Sequence, residues 1–319
     1  MMDWTDRHCR FFLRLITRRA RLYTEMITSA ALTHGDVPHH LDFNPGERPL
    51  ALQLGGSDRN VLAQGAKLGE RWGYDEINLN CGCPSERVQK GSYGACLMAE
   101  PALVADCVAA MRDAVSVPIT VKHRIGLEGR HEYGFVRDFV GTVAVTGCNV
   151  FIVHARNAVL KGLSPKENRE VPPLNYDFAH RLKRDFPALT IVVNGGIAQW
   201  DAIEAQLKEV DGVMLGRVAY HDPYFLAQAD GRLYGDDRPP FSRAEVMEAL
   251  VPYAAAQLAR GVPLRAIARH VLGLYHARAG GRRFRQILSD TARLKDAGPE
   301  IFLEALAAVE PAAALADAA

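Results

Sequence analysis

Seven short apolar segments, most of them ending in polar residues or glycine, constrain this chain more than any other feature. They are Leu22–Ile27, Leu50–Leu54, Glu76–Asn80, Ile119–Arg124, Val150–His154, Thr190–Asn194 and Gly212–Leu215. Apolar, often β-branched runs of this length read as parallel strands buried on both faces. Amphipathic helical patterns lie between several of them, most clearly Asn60–Trp72, Pro101–Val115, Tyr133–Thr146 and Trp200–Leu207. Repeated β-then-α units predict a parallel sheet with helices outside it. Polar groups and glycines recur at nearly every strand end: Glu25, Gln53, Asn78 and Asn80, Lys122 and His123, His154 and Arg156, Asn194-Gly195-Gly196, Gly216-Arg217. That spread is what a (β/α)8 TIM barrel requires. A doubly wound sheet would concentrate such groups at one switch point, and no G-x-G-x-x-G follows the early strands.

The β/α alternation stops near residue 238. Arg238-Pro-Pro-Phe-Ser reads as a linker, and residues 243–306 carry helical periodicity only, broken at Gly261-Val-Pro and Ala279-Gly-Gly. The expected fold class is therefore α/β, a TIM barrel over residues 1–238 followed by a small all-helical domain over 239–310. Residues 311–319 form an Ala-rich tail expected to fray. The net charge of +1 hides an asymmetry. Residues 260–295 hold nine Lys/Arg (260, 265, 269, 278, 282, 283, 285, 293 and 295) against Asp290, a local +8 against −7 elsewhere. Such segregation is the electrostatic footprint of nucleic-acid binding, and Phe284 stands as an aromatic among Arg282, Arg283 and Arg285. A second basic stretch, Lys161 to Arg169, follows His154.

No signal core opens the chain and no window approaches a membrane span, so a cytoplasmic protein is expected. Thiols stay reduced there. Six cysteines stand at 9, 81, 83, 96, 107 and 148. One Cys-x-Cys pair without a second is a poor metal pattern, and no metal site is expected.

Three of these thiols fall in the run Glu76-Ile-Asn-Leu-Asn-Cys-Gly-Cys-Pro-Ser-Glu-Arg-Val-Gln-Lys-Gly-Ser-Tyr-Gly-Ala-Cys96. A strand ends in two asparagines, and a Gly-Cys-Pro turn follows. With it stand Asp3-Trp-Thr-Asp-Arg-His8, Tyr23-Thr-Glu-Met26, Val121-Lys-His-Arg-Ile-Gly126, His154-Ala-Arg156, Lys161-Gly-Leu-Ser-Pro-Lys-Glu-Asn-Arg169 and Asn194-Gly-Gly-Ile197. Together, from Asp3 to about residue 306, they resemble the tRNA-dihydrouridine synthases, in particular the A-type bacterial subfamily. That resemblance implies FMN as cofactor, NADPH as its reductant, and reduction of uridines 20 and 20a in the tRNA D-loop. No stable protein partner is implied.

The resemblance also implies roles. The proton donor to the reduced pyrimidine would be Cys83, the cysteine of Gly-Cys-Pro, rather than Cys81 or Cys96. Gln53, Lys122, His154, Asn194, Gly195, Gly196, Gly216 and Arg217 would hold FMN, and Asn80, Arg169, Arg282 and Arg285 would touch tRNA. The residue types are compatible with this. Glycine loops after late barrel strands suit a phosphate, and Arg217 adds charge. A lysine at a strand end can stabilise a reduced flavin anion. Gln53 can bond the polar edge of a planar ring. A thiol, mostly protonated at neutral pH, can donate.

Relatives in that family carry a strand before the Asp-Trp-Thr-Asp stretch. Here only Met1-Met2 precede it, so the first barrel strand is expected to be missing, through a start at an internal methionine. Exposed sheet edges would then make the chain poorly soluble or flavin-poor. Two other classes stay open on sequence alone. A barrel enzyme reducing free pyrimidines would not need the +8 segment. A non-catalytic tRNA-binding protein would not need the cofactor residues.

Overall fold

The structure, a computed structural model, describes residues 1–310; the expected tail at 311–319 lies outside the described residues. The chain divides into two compact units. One comprises Met1, Tyr23–Phe43 and Leu50–Gly216, and the other Met2–Leu22, Asn44–Pro49 and the chain from Arg217 onward.

The first unit is built on seven parallel strands: β1 (Leu22–Thr28), β2 (Leu50–Gly55), β3 (Glu76–Cys81), β4 (Ile119–Arg124), β5 (Val150–His154), β6 (Thr190–Asn194) and β7 (Gly212–Met214). They lie side by side in chain order, β1 to β7, as a curled TIM-barrel sheet with helices around it. Every expected strand is present and begins at its expected residue. The side chains of β3 are all buried, whereas those of β7 are all half-buried, as a strand with one neighbour would be.

Local chemistry sets the helices. Asp58 caps the Arg59–Trp72 helix by accepting from Asn60 N and Val61 N, at 2.8 and 3.0 Å. Gly73, at φ +91°, ends it in the left-handed conformation. This helix lies close on the sheet, because a Cβ at Gly69 would come within 2.5 Å of Ile77 Cδ1 and 2.7 Å of Leu52 Cδ2. Pro101 starts the Pro101–Ala114 helix, where its missing N–H costs nothing.

The second unit is helical. Its longest helix, Arg243–Ala259, opens with a capping box in which Ser242 and Glu245 each bond the other's backbone N–H. Leu264–Val271 and Gly281–Ser289 follow, separated at the two expected breaks. The Arg7–Ile16 helix belongs here too, burying Phe12, Leu13 and Ile16. Asp6, which caps it, lies 3.0 Å from His270 Nε2, and Thr17 donates its hydroxyl to Asp230 at 2.6 Å. The 44–49 segment is pinned by a buried ion pair of Arg10 with Glu47, at 2.7 Å.

Candidate active site

Strand register brings the expected residues of the first unit together. Asn80 is the direct partner of Lys122 across β3 and β4, and His154 of Asn194 across β5 and β6. Lys122 Nζ reaches past β5 to Asn194 Oδ1 at 3.2 Å, and Asn194 Nδ2 donates to the Met214 carbonyl at 2.8 Å. Gln53, Lys122, His154 and Asn194 are each half-buried at strand ends. Gly195 and Gly196 follow with φ of +118° and +70°. A Cβ on Gly195 would meet His154 Cδ2 at 2.7 Å, so only glycine lets this backbone approach the imidazole. Gly216 follows the end of β7. Arg217 opens a short helix, Arg217–His221, in the second unit.

The thiol loop leaves β3 at Cys81. Asn80, only 9 % exposed, accepts through Oδ1 from Gly82 N and Cys83 N, at 3.0 and 2.9 Å. Ala95 N donates back to the Cys83 carbonyl at 2.9 Å. Gly94, at φ +77°, makes room, since a Cβ there would lie 2.6 Å from that carbonyl oxygen. The cysteines differ in access. Cys9, Cys81, Cys107 and Cys148 are buried, while Cys83 and Cys96 are half-buried. Burial pushes the thiols of Cys9 and Cys148 up to about 12, that of Cys107 to about 11, and those of Cys81 and Cys96 upward as well. The Cys96 thiol is turned onto the Tyr93 carbonyl at 3.1 Å.

Positive charge crowds this end of the sheet. Burial, then the Arg124 guanidinium, pushes Lys122 down to about 8. Burial holds His154 well below its ordinary value, reinforced by Lys122, Arg124, Arg156 and Arg169. Such a set of mutually repelling basic groups, beside a glycine cradle, fits a phosphate-bearing anion. Among the described residues, no group of three His, Cys, Asp or Glu could hold a metal ion. No helix among them is long and apolar enough to cross a membrane.

Two residues absent from the sequence-based expectations organise the loops. Arg124, 3 % exposed, donates from Nε to the Gly82 carbonyl at 2.9 Å, and from Nη1 to the carbonyls of Asn157 and Asn168 at 2.9 and 3.0 Å. Gln89 Nε2 donates to the Pro84 and Leu160 carbonyls at 2.8 and 2.9 Å. Both tie the thiol loop to the basic 157–169 loop, on which Arg169 is exposed. The advance signal was their place in two motifs, Arg124 in Val121–Gly126 and Gln89 in the Glu76–Cys96 run.

In the second unit Arg282 and Arg285 are exposed on the Gly281–Ser289 helix, and all nine basic residues of 260–295 are exposed. Arg269 and Arg293 pair with Asp6 and Glu304. Phe284 lies differently from the arginines beside it. It is fully buried, tilted against Tyr275 at 4.9 Å, and offers no stacking face. Its spacing with Ile287 and Leu288 puts it on the apolar side of the helix.

Comparison with known proteins gives the family. Residues 1–312 match the family described as dihydrouridine synthase (Dus). A Pseudomonas putida protein named tRNA-dihydrouridine(20/20a) synthase is 60 % identical over 289 residues, covering 91 % of this chain and 86 % of its own. Proteins of the same name from Xanthomonas campestris and Synechocystis are 57 % and 53 % identical, covering 96 % and 97 % of this chain and 90 % and 92 % of theirs. A match along nearly the whole length at such identity, with the thiol loop at the strand ends of a barrel, leaves one assignment: the chain belongs to the dihydrouridine synthase family.

Proposed function

We propose that the protein reduces uridines 20 and 20a of the tRNA D-loop to 5,6-dihydrouridine, with FMN as the bound cofactor and NADPH as the reductant. The names of its relatives support the substrate. The half-buried thiol of Cys83, held beyond β3 beside the charges of Lys122 and Arg124, is the observation that carries the chemistry. Bound FMN would supply hydride to C6 of the uracil. Cys83 donates the proton to C5, as a positioned acid must. Gln53, Lys122 and His154 would hold FMN together with Asn194–Gly196, Gly216 and Arg217. Lys122 favours negative charge on the ring. Asn80 and Arg169 orient the extruded base and its phosphates, and Arg282 and Arg285 bind the tRNA backbone. On this reading residues 1–238 are catalytic, residues 239–310 bind tRNA, and the protein works in the cytoplasm.

The visible absorption spectrum of protein loaded with FMN tests the reading. The flavin band should bleach with NADPH and recover on adding unmodified tRNA. Recovery with free uracil instead would make the protein a free-pyrimidine reductase. Tight tRNA binding without any flavin uptake would reduce it to a tRNA-binding protein.

A further inference from the structure

A directed chain of hydrogen bonds runs through the first unit from the thiol loop to Glu76, at the start of β3. Gly82 N and Cys83 N donate to Asn80 Oδ1. Asn80 Nδ2 donates to Gln53 Oε1 at 2.8 Å, Gln53 Nε2 to Asn78 Oδ1 at 2.9 Å, and Asn78 Nδ2 to Thr120 Oγ1 at 2.8 Å. The Thr120 hydroxyl donates to Glu76 Oε1 at 2.7 Å, and the Tyr23 hydroxyl reaches the same oxygen at 2.8 Å. Glu76, Asn78 and Thr120 are 2 %, 0 % and 0 % exposed.

Three amides and a hydroxyl in a row could each point either way. The two ends remove that freedom. Backbone N–H groups can only donate, and a carboxylate only accepts. We infer that Glu76 is a positioning residue: its carboxylate sets the sense of the Thr120–Asn78–Gln53–Asn80 relay, and through it the seat of Cys83 and the face that Gln53 presents. Were the sense reversed, the Asn80 amide nitrogen would face the Gly82 and Cys83 N–H groups, donor against donor, and the loop would be released. A buried amide left so costs more than the mere absence of a bond. The inference deepens the proposed function, since it concerns the residue read there as the proton donor. Its geometry does not depend on that reading.

The test is the alkylation rate of Cys83 by iodoacetamide in the folded protein, resolved from the other cysteines by peptide mass mapping. Glu76→Gln and Thr120→Val should each change the Cys83 rate by roughly tenfold. Thr120→Ser, which keeps the hydroxyl, should match the parent. Turnover on tRNA should fall in kcat while the Kd for tRNA holds. Folded Glu76→Gln and Thr120→Val proteins whose Cys83 reacts within twofold of the parent overturn the inference. So does failure of both to fold, which would make the carboxylate a structural prop of the barrel. If no protein, parent included, reduces tRNA, the proposed function fails, while the alkylation pattern still decides the relay.

Discussion

The Nε of Arg124 lies 2.9 Å from the carbonyl oxygen of Gly82, one residue before the candidate catalytic thiol. Because the same guanidinium also holds Asn157 and Asn168, one buried side chain anchors two loops. Arg124→Met would leave three carbonyls without that donor, and should cost about 3 kcal/mol. Urea unfolding would measure it, with Arg124→Lys expected to recover part of the loss. An unchanged midpoint would show that the loops hold without the clamp.

Cys83→Ala should retain FMN and tRNA binding while dihydrouridine formation falls by at least about a hundredfold, the usual scale for losing a general acid. Mass spectrometry of digested tRNA reads the product directly. Full activity in that variant would move the proton donor to another group.

Arg282→Ala/Arg285→Ala should weaken tRNA binding without altering the flavin spectrum. Each arginine–phosphate pair removed lowers the slope of log K against log salt by about one. Filter binding across a KCl series gives the slope. A double variant with the parent slope would remove these two arginines from the interface.

His123 gives the structure a pH signature. Its Nδ1 donates to the Arg124 carbonyl at 2.7 Å, its ring packs on Phe139 and Phe151, and its buried Nε2 has no partner among the described residues. Burial pushes the imidazole from 6.5 down to about 4. The folded state therefore takes up its proton later than the unfolded chain, and stability is lost as pH falls from 6.5 towards 4. The loss is on the order of 3 kcal/mol from this group. His8, pushed down to about 4 mainly by burial, adds in the same direction. Unfolding free energies at pH 6.5 and 4.5 should differ by less in His123→Leu than in the parent. Equal differences would mean the ring is already solvated.

The strands were legible because buried parallel strands are apolar runs, and each of the seven begins where the composition changes. The strand ends followed, and with them Gln53, Lys122, His154 and Asn194. The Glu76–Asn80 relay was not legible as a unit. Its members lie on β2, β3 and β4, and only register shows that Gln53 faces Asn78 and Asn78 faces Thr120. The trace it left in sequence is the period-two polar pattern Glu76-x-Asn78-x-Asn80 inside an otherwise buried strand. The burial of Phe284 was hidden for the opposite reason. Beside three arginines in the linear chain it looks exposed, and the helical turn puts it with Ile287 and Leu288. The reach of the Arg7–Ile16 helix was hidden as well, since nothing local says that Asp6 meets His270.

That last pairing bears on how the molecule is made. A ribosome adding roughly 5–20 residues per second needs tens of seconds to travel from Asp6 to His270. Through that interval the first helix emerges with Phe12, Leu13 and Ile16 lacking the helices that will cover them. The second unit cannot begin to close until the barrel strands have all been synthesised. A helix made before all seven of these strands is thus among the last segments to be buried.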